Sequence, residues 1–426
     1  MKKTVLAIAQ LALGIGLVAA LLNRINQSSW RILMETDAPV SVESGAVYTD
    51  GTLPVPGRYV AELSREDVAT VTFLKQGKLE RTLPETGMLT LLEGTGPETL
   101  AWTAVRAERH GFAQIGAAFR LALTNAHMLA VGILLFGVCL FFCIWRWHLL
   151  LKAQGLALPF RRATSLYFVG QFFNSFMPGS VGGDIIKAYF AARRTRHKRT
   201  EAVSTIMLDR IVGLLALLAL TAAIMAVFLP FFLAHRETRI ALAFNLFLLA
   251  GAVAGLFVVF RKNLFEHWAL FRNLSERTEF GGMINRVYSA FHHCFRHSGL
   301  LTRTVALSLG NHLALVFCAY FLSLALATGL SFLDVLKIFP VINAIAAIPV
   351  TPGGLGTREG ATVFLLGVLG VAPAEAIALS LLLYVTILGW SLVGGAVYCS
   401  YLYGADKSLR DDMLSAVEDE DEGRGR

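Results

Sequence analysis

"FFNSFMPGSVGGDIIKAYFAARR", Phe172 to Arg194, decides how the chain is read. It begins as an apolar helix, breaks at Pro178-Gly179, passes Gly182-Gly183 and resumes with Asp184 and Lys187. Glycine-rich breaks of this kind serve two different chemistries. A phosphate loop of a soluble enzyme needs G-x-x-x-x-G-K-[ST] directly after a β-strand, and this stretch has neither. The other use is an interrupted membrane helix, tolerated only where the freed backbone groups face protein or a wet cavity. The residue types favour the membrane helix.

Composition points the same way. The chain of 426 residues is 55% hydrophobic and 16% charged, against roughly 25% charge in soluble domains. The net charge of +8 does not indicate nucleic acid, because the basic residues cluster between apolar runs rather than on one face. That pattern is the bias of Lys and Arg toward the cytoplasmic side of a membrane protein. The five cysteines lie in or beside apolar runs and imply no disulfide framework. "HHCFRH" (His292 to His297) has no second ligand cluster at a metal-binding spacing, so neither a metal nor a cofactor is expected.

The chain divides into four parts. Residues 1–23 read as a first transmembrane helix, its apolar run from Thr4 to Leu22 following Met1-Lys2-Lys3. A cleaved signal peptide has a similar start, but this run is long for one and lacks a small-x-small site. Residues 24–120 alternate apolar and polar positions between Gly, Pro and Asp turns, as in "VYTDGTLPVPGRYVAELS" and "DVATVTFLKQGKLERTLPE". They read as a small β-rich extracytoplasmic insert, with "KQGKLE" closing a hairpin. Residues 121–403 form the main transmembrane domain, and 404–426 an acidic, disordered cytoplasmic tail.

Within the main domain, spans are expected at about 123–144, 203–228, 241–260, 305–327 and 377–401. "RWHLLLK" after the first and "RRTRHKR" (Arg193 to Arg199) mark the cytoplasmic side. In the basic segment 261–303, Ile284, Val287, Tyr288, Phe291 and Phe295 recur at helical spacing, as on a helix lying on an anionic leaflet.

Two breaks share one pattern. "PGSVG" is Pro178 to Gly182, and "PGGLG" is Pro352 to Gly356. Charges follow each, Asp184 and Lys187 in one case, Arg358 and Glu359 in the other. Each lies between apolar spans, and the distribution of charge starts the two units on opposite sides. The expected fold is therefore an α-helical polytopic membrane protein built as an inverted repeat (about 123–230 and 304–402), each unit with a broken, re-entrant helix pair.

The candidate substrate-binding residues follow from this plan. Pro178, Gly179, Gly182, Gly183, Pro352, Gly353, Gly354 and Gly356 open the helices and let backbone approach a headgroup. Half-helices starting after the glycines aim their positive ends at a phosphate. Lys187, Arg210 and Arg358 add positive charge, and Asp184, Asp209 and Glu359 balance it. Charged residues inside spans are costly and mark function. The bland readings are an Asp209-Arg210 ion pair at a helix end, an interfacial anchor at Arg358-Glu359, and helix capping by Asp184 and Lys187. Asn174 is read either as a substrate contact or as polar packing between helices.

"GQFFNSFMPGSVGGDIIKAY", "VSTIMLDRIVGLLAL" and "AIPVTPGGLGTREGATVFLL", in this order and spacing, resemble the lysylphosphatidylglycerol synthase transmembrane-region (flippase-like) family over roughly residues 125–402. That resemblance implies a multi-pass protein of the bacterial inner membrane, with cytoplasmic termini, that moves lipids or lipid-linked headgroups between leaflets. Its partner is then a membrane lipid with an anionic or phosphate headgroup, with a possible protein partner for residues 24–120. Two-domain relatives carry a cytoplasmic synthase domain. The short tail here leaves no room for one, so aminoacyl transfer is not expected. The alternative is a membrane enzyme or accessory subunit acting on lipid-phosphate headgroups, with Asp184 or Glu359 as general base.

Overall fold

The computed structural model describes residues 12–23, 30–36, 57–63, 86–93, 96–109, 111–156, 158–176, 182–194, 199–260, 298–347 and 354–403. The helices are α1 (Ala12–Asn23), α2 (Gly111–Thr124), α3 (Ala126–Ala153), α4 (Phe160–Phe176), α5 (Gly182–Arg194) and α6 (Arg199–Val227). They continue as α7 (Leu229–Ala234), α8 (Arg236–Phe260), α9 (Ser298–Ala325), α10 (Phe332–Ala346), α11 (Thr357–Leu366) and α12 (Pro373–Tyr403).

Five of these carry segments long and apolar enough to cross a bilayer: Ala126–Ala153, Glu201–Val227, Arg236–Gly255, Gly299–Ala325 and Pro373–Ser400. A 28-residue helix such as α3 reaches about 42 Å, against a hydrocarbon core of about 30 Å. Large apolar side chains such as Leu134, Val227 and Phe247 stand exposed on these helices, as lipid-facing surfaces require. Helices α4, α5, α10 and α11 have 17, 13, 15 and 10 residues. None reaches 30 Å alone, at about 1.5 Å per residue. They flank the two Pro-Gly breaks, whose residues 177–181 and 348–353 lie outside the described ones.

The core lies between these helices. Helix α3 packs along α9, and Phe136, Leu140, Cys318, Leu322, Ile338, Phe339, Leu365 and Leu379 belong to one buried apolar cluster. Polar ties fix the register: Asn125 Nδ2 donates to the Ala325 carbonyl (3.0 Å), and Trp390 Nε1 to that of Ile133 (2.8 Å). Two glycines permit close backbone approach. A Cβ on Gly183 would collide with the Gly170 carbonyl, which brings α5 against α4, and one on Gly394 would meet the Phe168 carbonyl between α12 and α4.

The expected fold class needs correction. The packed body is helical throughout, and no residue whose side chain is described lies in a strand. Before it, backbone pairing joins β1 (Trp30–Thr36), β2 (Gly57–Leu63), β3 (Thr86–Glu93) and β4 (Gly96–Arg109) in the antiparallel order β2-β1-β4-β3. The fold class is set by the helical body with its five candidate spans, and not by a β-rich insert. The chain is helical from Gly111, ahead of the expected boundary at 120. "KQGKLE", the amphipathic segment within 261–297 and the acidic tail lie outside the described residues. The inverted repeat does not stand either. What the two halves share is an order of helix lengths, and the length and composition of five spans assign no direction to any of them.

The close approach at Gly183 has a measurable consequence. Gly183→Ala is expected to destabilise the protein by about 1–3 kcal/mol, the usual cost of overpacking. Gly251→Ala, with nothing within 4 Å of the added carbon, is expected to be neutral or slightly stabilising. Thermal unfolding of both variants in detergent checks this, and equal melting temperatures would contradict the contact.

Candidate functional site

The most concentrated charge in the described body lies where α3, α4, α5, α6 and α9 meet. Arg146 sits in the apolar helix α3 and is 5% exposed. Its Nε donates to Asp209 Oδ1 of α6 at 2.7 Å, and its Nη1 donates to Ser308 Oγ of α9 at 2.9 Å. Gly213 makes room for it, since an added Cβ would stand 3.1 Å from Nη1. A charge this deep is tolerable only when paired and hydrogen-bonded.

Lys187 of α5 is equally buried, at 4%. Its Nζ lies 4.6 Å from the ring centres of both Trp147 and Tyr167, within cation–π range. It is also 3.7 Å from Asp184 Oδ1, one helical turn earlier. Asp184 Oδ2 in turn accepts from Arg210 Nε at 2.6 Å. The Arg210 side chain is 55% exposed and that of Asp184 only 12%. The network therefore runs from a sealed end at Arg146 to an open end at Arg210. Three cations and two carboxylates leave it one positive charge.

A second polar group surrounds the start of α11. Gly356 has φ +85°, a left-handed conformation that glycine adopts without strain. Its N–H donates to Glu359 Oε2, and Ser380 Oγ of α12 donates to Glu359 Oε1 at 2.9 Å. Glu359 is 1% exposed, so both its oxygens are engaged inside the protein. Thr357 Oγ1 donates to the Gly354 carbonyl at 2.9 Å, and Arg358 lies within electrostatic reach of Glu359 and Tyr384. Helix α1 packs over this turn, with Leu17 and the Gly14 carbonyl facing Gly356.

The structure thus gathers Asp184, Lys187, Asp209 and Arg210 into one network. It places Gly354, Gly356, Arg358 and Glu359 in another, on a different pair of helices. Asn174 Oδ1 accepts the Gly183 N–H at 2.9 Å, so it ties α4 to the start of α5. Gly182 is the first residue of α5, while Pro178, Gly179, Pro352 and Gly353 lie outside the described residues. At both helix starts an amide that was expected to face a phosphate is already met by a side chain, Asn174 or Glu359. Asp209 and Arg210 do not pair with each other. Consecutive helical residues point to different faces, so Asp209 turns to Arg146 and Arg210 to Asp184.

Sequence reasoning missed Arg146, Trp147, Tyr167, Ser308 and Ser380. Arg146 had a signal, a charge within an apolar run. Reading "RWHLLLK" as the cytoplasmic end of a span hides that signal, since α3 continues through it to Ala153 and buries Arg146, Trp147 and His148.

The family model of the lysylphosphatidylglycerol synthase transmembrane region matches residues 99–397. A UPF0104 membrane protein of Pyrococcus horikoshii is 24% identical over 266 residues, covering 57% of this chain and 78% of the relative. Two UPF0104 membrane proteins of Methanothermobacter thermautotrophicus are also similar. One is 25% identical over 277 residues (60% of this chain, 78% of the relative), the other 23% over 251 residues (55% and 73%).

The sealed end of the network predicts asymmetric mutational costs. Arg146→Ala or Asp209→Ala leaves a buried charge without its partner and is expected to cost about 3–5 kcal/mol. The double variant Arg146→Met/Asp209→Leu is expected to recover most of that loss. Thermal unfolding of the three variants in detergent tests it; a double variant as unstable as the sum of the two single changes would overturn it.

Proposed function

This chain belongs to the lysylphosphatidylglycerol synthase transmembrane-region family and is an integral, multi-pass membrane protein, and from that premise we propose that it moves a phospholipid or lipid-linked headgroup between leaflets. Its setting in this proposal is the plasma membrane, with both termini cytoplasmic. The observation that carries the reading is the charge network graded from Arg146 to Arg210. Charges inside a membrane body are expensive and are retained where polar cargo passes or pauses. A sealed ion pair needs no exit, yet this one reaches Lys187 through the charge of Asp209, and Lys187 leads through Asp184 to a half-exposed guanidinium. Arginine is suited to phosphate because its planar donors engage oxygens in pairs. The excess positive charge matches an anionic headgroup.

Pro178, Gly179, Gly182, Gly183, Pro352, Gly353, Gly354 and Gly356 belong to the proposed headgroup path as breaks in the helices. Arg358 belongs to it as a second cation. Glu359 serves it by holding the turn at Gly356, because both of its oxygens are hydrogen-bonded. The same engagement argues against Glu359 as the general base of a membrane enzyme.

Reconstitution into vesicles with a fluorescent phospholipid tests the proposal. Wild-type protein is expected to expose inner-leaflet label to an external quencher. Asp184→Ala and Arg358→Ala are expected to lose at least about tenfold in rate, the loss that about 1.4 kcal/mol on the barrier produces. Gly251→Ala serves as the control and is expected to match wild type. Chemical alteration of the lipid without movement would replace this reading with the enzyme.

A further inference from the structure

We infer that the open end of the charge network is a docking site for a phosphodiester monoanion, which Asp184 fills when no headgroup is present. The inference rests on the transport reading for its biological setting, but on separate observations for its chemistry. Asp184 is shared. Its Oδ2 holds Arg210 at 2.6 Å, and its Oδ1 stands 3.7 Å from Lys187. The first contact has the short distance of a full charge-assisted hydrogen bond, and the second is longer than one. Lys187 is therefore held only loosely by Asp184, and its seat is completed by the faces of Trp147 and Tyr167 and by the charge of Asp209.

A lipid phosphate reaching Arg210 competes for the same guanidinium. When it wins, Asp184 has, among the described residues, Lys187 to turn to, on its own helix and already within 4 Å. No carboxylate is left stranded, since the released charge moves from one cation to the other. Asp209 stays hydrogen-bonded to Arg146 and is also within electrostatic reach of Lys187, so it steadies Lys187 in both arrangements. The network thus has two arrangements. In the resting one Arg210 pairs with Asp184; in the loaded one Arg210 pairs with phosphate and Lys187 with Asp184. With Arg146, Lys187, Arg210, Asp184 and Asp209 all ionised, the single excess positive charge is neutralised by one negative charge. A phosphodiester carries that charge, and in a headgroup with an added amine the cation cancels it in net.

In this scheme Asp184 is a positioning residue that competes with the ligand, which separates the inference from a purely structural role. The test is native mass spectrometry of the full chain in detergent, with phosphatidylglycerol, phosphatidylcholine and water-soluble glycerophosphoglycerol as probes. Asp184→Asn is expected to retain phosphatidylglycerol about threefold to tenfold more tightly than wild type, and Arg210→Ala about tenfold less tightly. Phosphatidylcholine is expected to respond weakly to both changes. Retention of glycerophosphoglycerol at the level of the lipid would assign the site to a free phosphodiester instead of a lipid headgroup. Equal or weaker phosphatidylglycerol retention by folded Asp184→Asn overturns the inference and makes Asp184 a brace.

If Asp184→Asn does not fold, wild-type protein decides. Phosphatidylglycerol, but not phosphatidylcholine, is expected to protect Arg210 from phenylglyoxal, read by peptide mass, and equal labelling overturns the inference. The transport reading fails separately. Wild type that moves no lipid, together with tighter binding by Asp184→Asn, removes the transport and keeps the site. Lipid movement with no change in binding does the reverse.

Discussion

The Arg146–Asp209 ion pair is the constraint around which the first half of the body is arranged. Buried charges lose their hydration, and only a close, hydrogen-bonded partner restores enough of it. Arg146 satisfies this with Asp209 on α6 and Ser308 on α9, 63 and 162 residues away in sequence. Three long helices are thereby held at one level. Gly213 must stay small to let the guanidinium through, and His312 Nε2 sits 3.0 Å from the Gly213 carbonyl on the same side. The aromatic seat of Lys187 depends on the same placement, because Trp147 follows Arg146 on α3.

From that anchor the network changes character toward Arg210. At the sealed end Arg146 is fixed by Asp209 and Ser308 together and has little freedom. At the open end one carboxylate serves two cations, and one of those cations is half-exposed. Rigid pairing stabilises a fold but transmits nothing. Shared pairing is what allows a second arrangement at small cost. The two kinds of pairing lie next to each other, so the body can keep its packing while its open end exchanges partners.

The region around Gly356 solves a different problem. A helix that starts inside the protein has amides without partners, and Glu359 answers one by reaching back from the first turn. Ser380 holds the other oxygen, which links α11 to α12. The positive φ of Gly356 and the approach of Leu17 from α1 both require that no side chain be present there. Asn174 plays the corresponding part at the start of α5. In both places the chain itself occupies the helix start, and this moves the case for phosphate from helix ends to side-chain cations.

Hydropathy and glycine placement are local properties, and the sequence by itself determined what depends on them. They establish the membrane class, the approximate spans, the two Pro-Gly breaks and the charged residues that follow each. The family resemblance, carried by residues 125–402, agrees with the match over 99–397. Only the tertiary structure decided which charges meet. Asp209 and Arg210 are neighbours in sequence and face different helices. Arg146 looked like a marker of the membrane edge and proved to be buried, because an arginine tolerates an apolar surrounding once a carboxylate from another helix reaches it. The alternation in residues 24–120 led to a β-rich insert that does not define the fold, because alternation is a property of a strand and not of a fold. What packs is decided by contacts between distant residues, and in the membrane-spanning body those contacts are helical.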